Sequence, residues 1–173
     1  MNRYLWSIRT DVEQQSSKNY SQFLVRDFTL SKVLLLNAAA TLFMTGIIWF
    51  VQVVHYPLFD AVGREIFANY EVRHSNLTTL VVIIPMFVEL ITSLALLWQR
   101  PEGIAFWQLW LGLGLVGVIW GSTALLQVPQ HSILSQGFNE RAYEVLVQSN
   151  WLRTFAWSVR SALVVWWLYS RLR

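Results

Sequence analysis

Residues 77–98 read LTTLVVIIPMFVELITSLALLW, a run in which Glu89 is the single charge. The hydrocarbon layer of a bilayer is about 30 Å thick and a helix rises about 1.5 Å per residue, so roughly 20 mostly apolar residues cross it. In lipid the backbone must satisfy its own hydrogen bonds, and the run therefore predicts a spanning helix. Three further runs read the same way. Val33 to Val54 is uncharged between Lys32 and His55-Tyr56-Pro57, and Ile104 to Val128 is uncharged between Gly103 and Pro129. Leu152 to Leu168 carries Arg153 at its edge and Arg160 inside. With 55% hydrophobic and 13% charged residues, a chain of 173 could not hide its apolar surface as a soluble domain.

Basic residues set the expected orientation. Arg3, Arg9, Lys18, Arg26, Lys32, Arg100, Arg171 and Arg173 fall on one side of the four runs. The other side has Arg64, Arg73, Arg141 and Arg153, mixed with Asp60, Glu65, Glu71, Glu140 and Glu144. The positive-inside tendency puts both termini in the cytoplasm, as expected for a multi-pass protein of the plasma (inner) membrane. The net charge of +3 follows from this asymmetry and points to no nucleic-acid partner. Residues 1–31 show no signal-peptide core, and Tyr4, Leu5, Trp6, Phe23, Leu24 and Phe28 predict an interfacial tail. The chain has no cysteine, which excludes disulfide and thiolate chemistry.

The sequence echoes itself. Gly46-Ile47-Ile48-Trp49 returns as Gly117-Val118-Ile119-Trp120, and Gln52-Val53-Val54-His55 as Gln127-Val128-Pro129-Gln130-His131. Ala68-Asn69-Tyr70-Glu71 is matched by Ala142-Tyr143-Glu144, and Ser75-Asn76 by Ser149-Asn150. The expected fold is all-α: a four-transmembrane-helix bundle over 32–171, made of two tandem helical hairpins, 32–99 and 104–171. Apolar residues at helical spacing around Leu58 to Tyr70 and Ile133 to Val147 predict short amphipathic helices in the outer loops.

Candidate chemistry sits where lipid makes polarity costly. Glu89 and Arg160 each cost several kcal/mol within a span unless paired, and their comparable depth predicts a pair. Pro85, one turn before Glu89, is expected to kink its helix. His55 and His131 hold matching places in the repeat and His74 opens the second span; imidazole serves in proton transfer, metal or haem ligation, and interfacial hydrogen bonding. No HxxxH or HExxH pair occurs, so no metal is assigned and the cofactor is left unknown. Gly112, Gly114, Gly117 and Gly121 stripe the third run and predict close helix packing.

Gly46 to Leu58, the Val128-Pro129 turn with His131 to Gly137, and above all Asn150-Trp151-Leu152-Arg153-Thr154 resemble the anthrone-oxygenase-like family of four-helix membrane proteins. Gln52 to Pro57 and Trp157 to Arg160 suggest a resemblance to a separate bacterial branch of that family. The resemblance implies a four-helix bundle and oxygen-dependent oxidation of an aromatic or lipophilic substrate without a cofactor. On this reading His55, His131, Arg153, Glu89 and Arg160 are the catalytic candidates, and Gln52, His74, Gln127, Asn150 and Trp157 contact substrate. His55 or His131 would act as base, and Arg153 would hold an anionic oxygen. The expected partners are the lipid bilayer, a lipophilic small molecule, and a homo- or hetero-oligomer through the third helix. Two other functions fit the same residues: a non-catalytic subunit or assembly factor, and a haem protein ligated by His55 and His131.

Overall fold

The computed structural model describes Tyr20 and residues 30–172. The expected interfacial tail therefore lies outside the described residues, apart from Tyr20 and the start of the first helix. Four helices follow one another: α1 Leu30–Ala61, α2 Phe67–Gln99, α3 Phe106–Leu134 and α4 Glu140–Leu172. Three of them, α1 to α3, are long and apolar enough to cross a membrane. The fourth is as long as α2, at 33 residues, but polar side chains interrupt its run. Those side chains point inward: Asn150, Arg153, Thr154, Trp157 and Arg160 are buried, while Trp151, Leu152, Phe155, Val165 and Trp166 are exposed.

Consecutive helices are antiparallel, as paired contacts at both ends show. Asn37 meets Thr92 near one end of α1 and α2, and His55 meets His74 near the other. Glu71 meets His131 across α2 and α3, and Gly112 meets Arg160 across α3 and α4. Helices α4 and α1 close the ring through Ser161 with Thr45 and Asn150 with Gln52. Around the outside runs an apolar surface that includes Leu35, Leu80, Ile84, Trp110, Leu125 and Phe155. So large an exposed apolar face needs lipid or a partner against it, and three spanning-length helices make lipid the fitting solvent.

Several expectations are corrected by where the helices end. The amphipathic segments expected around Leu58 to Tyr70 and Ile133 to Val147 are not separate outer helices: each divides between the last turns of α1 or α3 and the first turns of α2 or α4, which begin at Phe67 and Glu140. Their apolar residues continue the inward face, so Phe67, Glu71 and His74 are buried in succession at helical spacing. Pro85 lies within α2, whose helix runs through it unbroken.

Pro129 does not end α3, because a π turn over Thr123–Gln127 precedes it and the helix resumes at Val128–Leu134. Pro57 likewise follows a π turn, Val51–His55, and opens a short 3₁₀ turn, Pro57–Ala61. Proline lacks an N–H and collides with the carbonyl four residues back in an α-helix; the wider π pitch relieves that collision.

The glycine stripe packs at one position only. A Cβ on Gly112 would lie 2.9 Å from Trp167 Cη2 and 3.1 Å from Arg160 Nη1, whereas Gly114, Gly117 and Gly121 have nothing within 4 Å.

Candidate functional site

Two polar layers lie inside the bundle, and they differ in whether their hydrogen bonds are complete. The central one joins all four helices. Arg160 Nε donates to Glu89 Oε1 at 2.6 Å, Nη1 to the Gly112 carbonyl at 2.6 Å, and Nη2 to Ser93 Oγ at 2.6 Å and Asn37 Oδ1 at 3.2 Å. Glu89 also accepts from Thr41 Oγ1 at 2.6 Å and from Trp157 Nε1 at 3.0 Å. Arg160 and Glu89 are 0% and 1% exposed, so no substrate reaches them without opening the core. The expected pair is present, and its position is that of a bundle lock away from the cavity described next.

The second layer lies at the end bearing the links 62–66 and 135–139. Here the three histidines converge with two residues that sequence reasoning passed over, Tyr56 and Glu71. His131 Nδ1 lies 2.5 Å from Glu71 Oε1, and its Nε2 lies 3.0 Å from the Tyr56 hydroxyl. His74 Nδ1 lies 2.8 Å from His55 Nε2 and 3.2 Å from Thr78 Oγ1. Ring centroids are 4.6 Å apart for His55 and His74, and 5.5 Å for His74 and His131. His55 and His131, the matching residues of the sequence echo, thus converge through His74.

Local sequence explains the convergence. Glu71, His74 and Thr78 follow one face of α2, and the π turns before Tyr56 and before His131 re-aim the ends of α1 and α3. Apolar side chains close the end: Phe59, Phe67, Leu134 and Leu146 are fully buried beside this layer. Arg64 straps the closing link, its guanidinium 3.3 Å from the Phe138 ring centroid.

A cavity of about 410 Å³ opens against this layer. Tyr56, His74, Gln127, His131 and Arg153 form its polar end, while Met44, Ile47, Ile48, Val51 and Val82 form its apolar wall. Arg153 is buried beside the Tyr56 hydroxyl, 5.4 Å from the Trp157 ring, and its Nε has no hydrogen-bond partner among the described residues. No carboxylate pairs with it among the described residues. A guanidinium held this way is available to an oxygen carried by a ligand.

The remaining candidates divide. His55 lines a second groove, between α1 and α2, with Phe50, Tyr70 and Leu77. Gln52 and Asn150 bond each other at 2.9 Å behind the cavity, and Gln127 reaches Ser149 at 2.7 Å. Trp157 belongs to the central layer through Glu89. Tyr56 and Glu71 were missed because each borders a predicted loop; the spacing Glu71-x-x-His74, which stacks two ligand-type side chains on one helix face, was the available signal.

Comparison of the chain with family models, with curated proteins and with solved structures returned no match.

Proposed function

We propose that the chain is a four-helix integral membrane oxidoreductase whose cavity takes a lipophilic or aromatic small molecule at its non-cytoplasmic end.

 The cavity carries the reading: its volume of about 410 Å³ falls in the usual range for small-molecule sites, with an apolar wall and a few convergent polar groups at one end. The inward polar face and outward apolar face of α4 support its spanning the membrane with the other three. The arginine and lysine asymmetry supports cytoplasmic termini, and the sequence echo supports two tandem hairpins, 32–99 and 104–171.

In this reading Glu71 holds the His131 ring by Nδ1, which leaves Nε2, with Tyr56 as relay, to take a proton from an acidic C–H or O–H of the substrate. Arg153 holds the oxyanion that results. The resemblance to the anthrone-oxygenase-like family rests partly on Asn150, Arg153 and Thr154, which stand at and behind the cavity. The matching reaction converts an activated CH₂ and O₂ to a carbonyl and water.

The test is oxygen uptake and saturable binding by the protein in nanodiscs, using a panel of lipophilic phenols and aromatic ketones with an activated CH₂. His131→Asn is expected to slow turnover about 10²- to 10⁴-fold, the usual contribution of a positioned base. Neither uptake nor binding of any panel member by folded protein would overturn the reading. A second reading, a non-catalytic subunit, is favoured by one observation: Gly114, Gly117 and Gly121 are open to an external helix.

A further inference from the structure

Glu71 is fully buried, yet only half of its carboxylate is used. Oε1 accepts from Ser75 Oγ at 2.9 Å and meets His131, whereas Oε2 has no hydrogen-bond partner among the described residues. A buried carboxylate oxygen without a partner is unfavourable and calls for a cation or a donor. Two imidazoles stand beside it. One ligand atom each from Glu71, His74 and His131 lie within 4.8 Å of one another.

We propose that Glu71, His74 and His131 bind one divalent transition-metal ion. Two imidazoles and one carboxylate suit zinc, iron or cobalt and are poor ligands for magnesium or calcium, which favour oxygen. The Glu71-x-x-His74 pair sits on a single helix face, and His131 enters from α3, so the ligands come from two antiparallel helices as in metal sites of helical bundles.

The outer partners are also in place. A ligating histidine ordinarily has its second ring nitrogen held by a hydrogen bond, which fixes the ring and its tautomer. His74 Nδ1 is held by His55 and Thr78, leaving Nε2 for an ion; His131 Nε2 is held by Tyr56, leaving Nδ1. His55 thereby becomes a positioning residue. Glu71, now bonded to His131, would exchange that contact for the ion, and the cavity beside His74 and His131 would supply the open coordination position.

This inference goes beyond the proposed reaction and does not rest on it. A metal and a proton compete for His131, so the bound ion would silence the imidazole as base.

The experiment uses the full chain, purified in detergent through a tag without histidine and dialysed against EDTA, then titrated with Co²⁺ alone. Visible absorption and elemental analysis are expected to show one Co²⁺ per chain. Glu71→Gln and His131→Asn should each weaken binding at least tenfold, and His55→Asn on the order of 10- to 100-fold, as loss of an outer partner does. Cooperative thermal melting checks that each variant is folded; Glu71→Asp and His74→Asn stand in for any that is not. Absence of stoichiometric Co²⁺ binding, or binding unchanged in the folded variants, overturns the inference. Oxygen uptake in EDTA that falls on adding Co²⁺ supports both the metal site and the imidazole base; uptake that requires the metal supports the site and overturns the base.

Discussion

Glu89→Gln should be the most damaging conservative substitution in the chain. The amide keeps the shape of the carboxylate but leaves Arg160, fully buried, as an unpaired cation. Removing one partner of a dry ion pair costs about 3–5 kcal/mol, and insertion scales for a lone charge at a helix centre give a similar figure, about 2.5–3.5 kcal/mol. Arg160→Gln should cost a comparable amount, because it leaves the buried Glu89 carboxylate without its cation and removes the hydrogen bonds to Gly112, Asn37 and Ser93. The double mutant removes both charges and should recover part of the summed loss. Unfolding equilibria of the detergent-solubilised protein, followed by tryptophan fluorescence, would measure all four corners of the cycle. Losses that add to within about 0.5 kcal/mol would refute coupling between the two residues.

Two further outcomes are expected. In the naturally cysteine-free chain, Glu65→Cys should react with a membrane-impermeant thiol reagent in intact cells and Glu102→Cys should not; the opposite pattern reverses the orientation. Gly112→Ala should lower stability by about 1–3 kcal/mol because its Cβ would meet Trp167 at 2.9 Å, while Gly117→Ala should leave the monomer's melting temperature unchanged.

The helices were legible because lipid imposes one rule on a long apolar run. Glu89 and Arg160 were legible for the complementary reason: charges there must find one another, and they do. The convergence of three histidines was legible from their places at helix ends, but its organisation was not. Glu71 reads as one more acidic residue in a mixed loop until α2 is known to begin at Phe67 and carry it inward. The glycines show a limit of another kind, since a small-residue stripe looks the same whether it faces a helix of this chain or the outside. Gln52 and Gln127 show a third: the echo places them as equivalents, yet both bond to the same stretch of α4, at Val147, Ser149 and Asn150. A strict twofold relation would send one of them to α2.

The π turns bear on how this chain can change in length. Along α3 the buried positions Gly112, Val116, Ile119 and Ser122 keep α-helical spacing, and the next, Gln127, comes one residue later than that spacing allows. In α1 the backbone bond from Tyr56 back to Val51 absorbs an extra residue in the same way. Each turn therefore behaves as a stored insertion. Losing one residue within 51–55 or 123–127 would leave the inward faces in phase, whereas a loss within 107–121 would rotate everything beyond it by about 100°. Such a shortening would also return Pro57 or Pro129 to a tight helical ladder that excludes it, so the extra residue and its proline should be gained or lost together in any lineage of this fold.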